Sequence, residues 1–113
     1  MTHVLVNGYD SPFEVLEWST FKGYALCVNK DVGLGCYAVV SVYTGVPLSE
    51  SIYFHDTDRT WRAIRKAETP FKGKFRLIYE KDVRACYQRY LEKGLTSDAK
   101  KVFEALPWLE ATS

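Results

Sequence analysis

The chain has 113 residues, the size of one domain, and its 47% hydrophobic and 26% charged content excludes bulk disorder. Its net charge of +1 and pI near 7.7 argue against a uniformly basic nucleic-acid binder. No apolar run approaches the roughly 18 residues of a membrane span, and no C-x-x-C spacing relates Cys27, Cys36 and Cys86.

The opening Met-Thr-His-Val-Leu-Val-Asn-Gly lacks the basic-then-apolar pattern of a secretion signal. With an odd number of cysteines, this predicts a cytoplasmic protein with reduced thiols. A Cys27–Cys36 bridge across a hairpin stays open as an alternative.

The first half reads as strands. Residues Thr2 to Asn7 are rich in β-branched side chains, and Asn7-Gly8 with Asp10-Ser11-Pro12 marks a turn. Phe13 to Trp18 is a second strand. Tyr24 to Asn29 alternates, with Tyr24, Leu26 and Val28 on one face and Ala25, Cys27 and Asn29 on the other. Lys30 to Gly35 makes a hairpin loop. Cys36 to Tyr43 is apolar on both faces, as a strand covered on both sides would be. Thr44 to Pro47 is the next turn, and Ser49 to His55 a fifth strand.

The second half reads as mainly helical. Thr57 or Asp58 caps a helix that runs to about Ala67 and stops before Pro70. Phe75 to Tyr79 is expected to be a strand. Lys81 to Lys93 carries Val83, Cys86, Tyr87 and Tyr90 at helical spacing, with Gly94 as a C-terminal cap. Thr96 or Ser97 caps a last helix whose apolar stripe is Ala99, Val102, Phe103 and Leu106, ended by Pro107. Trp108 and Leu109 are expected to fold back on the body. The sum is one α+β domain over residues 1–113: an antiparallel β-meander followed by α-β-α-α, with helices packed on one face of the sheet.

Charge is segregated along the chain. Residues 1–58 hold two basic and seven acidic side chains, a net of −5. Residues 59–76 hold seven basic side chains, Arg59, Arg62, Arg65, Lys66, Lys72, Lys74 and Arg76, against Glu68 alone, a net of +6. On a helix, Arg59, Arg62, Arg65 and Lys66 fall within an arc of about 120°, opposite Trp61 and Ile64. On a strand, Lys72, Lys74 and Arg76 alternate onto one face. Arg forks match phosphate oxygens, and a cationic patch holds a polyanion by counterion release. Trp61, Phe71 and Tyr53 are candidates for stacking on bases.

Other chemistry is weakly represented. His55, Asp56 and Asp58 have metal-ligand residue types, but Asp56 and Asp58 also stand where a helix cap belongs. Gly33-Leu34-Gly35 lacks the third glycine of a dinucleotide loop, and Phe71-Lys72-Gly73-Lys74-Phe75 is no P-loop. The cysteines lie on apolar elements, where thiols are usually inert. Tyr37, Tyr43 and Tyr53 are placed on neighbouring strands, as core if the helices cover them and as a contact surface if not.

The expectation is therefore a non-enzymatic binding module with no cofactor and no membrane partner. Its basic patch meets nucleic acid or a nucleic-acid-handling protein complex. The alternatives are a small inhibitor or adaptor that docks on a host protein without touching nucleic acid, and a metal-dependent enzyme around His55.

Overall fold

The structure is a computed structural model that describes residues 1–19, 23–33, 35–47 and 74–109, with residues 74–79 described as backbone. Among the described residues, five strands form one antiparallel sheet in chain order: β1 (His3–Val4), β2 (Phe13–Trp18), β3 (Tyr24–Asn29), β4 (Cys36–Ser41) and β5 (Val46–Pro47). The same residues hold two later helices, α1 (Lys74–Glu92) and α2 (Thr96–Phe103), and then a 3₁₀ turn over Pro107–Leu109. The class is α+β, as the two periodicities require.

Cross-strand register sorts the side chains. Ala25 pairs with Val40 and Cys27 with Ala38, so these four share a face. Leu26 pairs with Val39 and Val28 with Tyr37 on the other. The register of β2 slips between Val15 and Glu17, a bulge that leaves Leu16 as the extra, half-exposed residue. The slip has a packing consequence. Val15 stands opposite Cys27 and Trp18 opposite Ala25, so both are carried to the same face, which strict alternation would forbid.

That face meets the helices. One core cluster joins Val4, Phe13, Ala25, Cys27, Ala38 and Val40 of the strands to Val83, Cys86 and Tyr90 of α1 and Ala99, Val102 and Phe103 of α2. Phe103 is the hub. Its ring stands edge-on to Tyr87 at 5.2 Å and Tyr90 at 5.4 Å, and tilts against Tyr43 at 6.1 Å. Such pairs add about 0.5–1.5 kcal/mol each beyond burial. The other face of β4 is buried too, since Val39 is fully enclosed with Tyr24 and Leu26 against it. A strand apolar on both faces is thus covered on both, as its sequence predicts.

Hydrogen bonds pin the sheet edge to the helices. Strand β1 is shorter than the sequence suggests because its continuation pairs elsewhere. The Leu5 N–H donates to the fully buried Tyr90 hydroxyl at 2.8 Å, and the Asn7 N–H to the Gly45 carbonyl at 2.8 Å. The Asp98 carboxylate, in the first turn of α2, accepts from the His3 N–H at 2.9 Å.

Several boundaries differ from expectation. Strand β4 stops at Ser41, and the turn comes earlier, over residues 42–45, where Gly45 takes φ +76° and its N–H reaches the Ser41 carbonyl. Val46–Pro47 is a strand instead of a turn, at the edge of the sheet among the described residues, a position that tolerates proline's missing N–H. Tyr43 is core against Phe103, whereas Tyr37 belongs to the opposite face of the sheet, so the two form no stripe. The expected fifth strand over Ser49 to His55 and the helix from Thr57 to Ala67 lie outside the described residues.

The largest correction is at Phe75 to Tyr79, which is helix and not strand. The aromatic and β-branched residues there favour a strand locally. No Gly or Pro interrupts residues 74–93, however, and a helix once nucleated gains one hydrogen bond per residue added. The helix ends as Gly94 predicts. Gly94 takes φ +75°, its N–H reaches the Leu91 carbonyl, and the Leu95 N–H reaches the Tyr90 carbonyl, the two bonds of a Schellman cap. That cap also explains why neither Thr96 nor Ser97 caps α2. Leu95, already fixed by the preceding cap, occupies the N-cap position with no side-chain cap bond.

Candidate functional site

The basic segment is the site to which the sequence points. Arg59, Arg62, Arg65, Lys66 and Lys72 lie outside the described residues, as do the candidate stacking residues Trp61, Phe71 and Tyr53. Lys74 and Arg76 fall on the first turn of α1. A helix advances about 100° per residue, so positions 74 and 76 do not share a face as they would on a strand. The last residues of the basic segment are therefore the start of α1, and the expected strand over Phe75 to Tyr79 is replaced by helix.

His55, Asp56 and Asp58 also lie outside the described residues. Among the described residues, no group of three His, Cys, Asp or Glu side chains is placed to hold a metal ion. No helix among them is long and apolar enough to cross a membrane.

The three thiols are free and buried. Asn29 pairs with Cys36 and Cys27 with Ala38, so the two cysteines of the hairpin are not opposite one another. Burial pushes the Cys27 thiol up to about 12. It pushes Cys86 up to about 11, with the neighbouring Arg89 pulling the other way. Burial likewise drives the Tyr90 phenol far above its ordinary range, so it stays a neutral hydrogen-bonding group. Thiols held protonated are poor nucleophiles, so Cys27 and Cys86 serve packing.

Charge on the described body is handled in two ways. Glu14 is half-buried on the sheet face away from the helices and lies 3.9 Å from Lys30, an exposed and weak pair. Arg84 of α1 is paired with a carboxylate. Its guanidinium donates through Nε and Nη2 to Glu80 Oε1 at 3.2 and 3.0 Å and lies 5.2 Å from the Trp108 ring centroid. Trp108 is half-buried and Leu109 buried, so the C-terminal Trp-Leu pair does fold back on the body.

The last turn of α1 differs. Arg89 Nη2 donates to Asn7 Oδ1 at 3.1 Å, and Lys93 Nζ to the Asp10 carbonyl at 3.4 Å. Neither cation forms an ion pair with a described carboxylate. Together with the Asn7-Gly8 turn they border a notch of about 230 Å³. Arg89 and Lys93 do not stand out in the sequence because they sit among balanced charges. A second cleft of about 330 Å³ lies between the helices, with Tyr87, Phe103 and Leu106 as its apolar wall and Lys100 and Glu104 at its rim. Comparison of the chain with protein-family models, curated proteins and solved structures finds no match.

Proposed function

We propose that the chain is a non-enzymatic binding module whose basic segment contacts nucleic acid phosphates. One observation carries the reading: seven cations against a single acid between residues 59 and 76, in a chain that is otherwise net acidic. The proposal rests on the sequence of Arg59, Arg62, Arg65, Lys66 and Lys72, which lie outside the described residues. It moves Lys74 and Arg76 from a strand to the start of α1. Free thiols at Cys27, Cys36 and Cys86 support an assignment to the reducing cytoplasm.

The test is fluorescence anisotropy with single- and double-stranded oligonucleotides of DNA and RNA. If about five of the cations reach phosphates, affinity falls by about three orders of magnitude between about 50 and about 200 mM salt. The double variant Arg62→Glu/Lys74→Glu should abolish binding. Affinity that ignores both salt and charge reversal sinks the proposal.

A second reading rests on a different observation, the net −5 of residues 1–58 beside the net +6 of residues 59–76. Opposite charges on one small domain suit electrostatic docking on a protein, as an inhibitor or adaptor. No oligonucleotide binding at about 50 mM salt, where phosphate contacts are strong, transfers the assignment to that reading.

A further inference from the structure

We propose that the notch between the Asn7-Gly8 turn and the C-terminal end of α1 is an anion site for a phosphoryl group, held by Arg89 and Lys93. It is built from residues outside the basic segment and stands independently of it.

The first argument is unspent charge. Arg89 and Lys93 are four residues apart and border the same notch, yet their described partners are an amide oxygen and a backbone carbonyl, both neutral. A guanidinium has five N–H donors. Asn7 Oδ1 takes one. The remaining donors suit an oxyanion, which a guanidinium fork binds through two parallel hydrogen bonds.

The second argument is preorganisation. Asn7 is held by its N–H to the Gly45 carbonyl at 2.8 Å and by Nδ2 to the Thr44 carbonyl at 3.4 Å, and in turn it holds Arg89. The approach needs glycine at 45, since a Cβ there would meet Asn7 Oδ1 and the Leu5 carbonyl at 3.0 Å each. The opposite rim is the turn closed by the Tyr9 N–H on the Val6 carbonyl at 3.2 Å, with Gly8 at φ +91°. The cation is thus seated before any ligand arrives.

Size and field set the ligand class. Small-molecule pockets usually exceed about 300 Å³, so a notch of about 230 Å³ suits a charged group with a small attachment, not a whole cofactor. The negative end of the α1 dipole opposes an anion here. It amounts to only about half a charge against two full cations, and the Schellman bonds already occupy the Tyr90 and Leu91 carbonyls.

The test titrates inorganic phosphate into the ¹⁵N-labelled full chain at constant ionic strength and follows the Gly8 and Tyr9 amides and the Arg89 Nε–H. Saturable shifts with a Kd of about millimolar order are expected. Lys93→Gln should weaken binding about fivefold, the worth of one exposed charge contact, and Arg89→Gln/Lys93→Gln should remove it. Lys81→Gln, an equal charge change elsewhere on α1, should leave it unchanged. Shifts that never saturate, full affinity in Lys93→Gln, or an equal loss in Lys81→Gln would each overturn the site. Acetate should bind more weakly, and acetate as tight as phosphate overturns the phosphoryl assignment. Among the described residues, the hydrogen bond of Lys93 is to a backbone carbonyl, so its variant decides the matter even if the double variant does not fold.

Discussion

Arg84 and Arg89 stand on the same helix and meet opposite surroundings. Arg84 is claimed by Glu80 and lies against Trp108, so its charge is neutralised within the fold. Arg89 is oriented by a neutral amide and shares its notch with Lys93. The difference shows that a count of charges says little about binding. What matters is whether each charge already has a counter-charge and whether something holds it in place. Both arginines ride on one seat, because the buried side of the helix, Val83, Cys86 and Tyr90, belongs to a single core with Phe103.

Removing that seat breaks the comparison most severely. Phe103→Ala takes the ring away from Tyr43, Tyr87 and Tyr90 together, and should cost about 3–5 kcal/mol. Urea denaturation measures it, and a loss below about 1 kcal/mol would mean the helices are held by something other than this core.

Alkali probes the same seat from below. The Cys27 and Cys86 thiols are neutral in the fold up to about 12 and about 11, but ionise near 9.0 once exposed. Raised values favour the protonated form in the native state. The stability they contribute is therefore complete below pH 9.0 and drains away as the pH climbs toward those limits. At about pH 10.5 each thiol should have cost about 2 kcal/mol relative to neutral pH. Unfolding midpoints at both pH values should fall more gently in Cys27→Ala. An equal slope in the variant would show that Cys27 is not the group being titrated.

The smallest effect is expected where charge is already satisfied. A double-mutant cycle of Glu80→Gln and Arg84→Gln should return only about 0.3–0.5 kcal/mol, the worth of an exposed i, i+4 pair. A coupling above about 1.5 kcal/mol would make the Glu80–Arg84–Trp108 cluster a structural element in its own right.

Much of the fold was legible residue by residue. Strands β2 and β3 fall on Phe13–Trp18 and Tyr24–Asn29 as expected, the second from its period-two alternation. The stripe Ala99, Val102, Phe103 and Leu106 is buried throughout. Gly94 ends its helix, since the positive φ at that position favours glycine over other residues. Less of the site was legible. Arg89 and Lys93 carry no local signal, because their role depends on the Asn7-Gly8 turn, more than eighty positions away in the chain.

By itself, the sequence determined the class of element and the faces that must be buried, because these follow from periodicity and from breakers acting over a few residues. It also determined the charge segregation at 59–76, which needs no fold to be seen. Tertiary structure decided two things. It placed the bulge at Leu16 that turns both Val15 and Trp18 toward the helices. It seated Arg89 on Asn7. Each depends on free energy shared between segments distant in sequence, which local propensity does not contain.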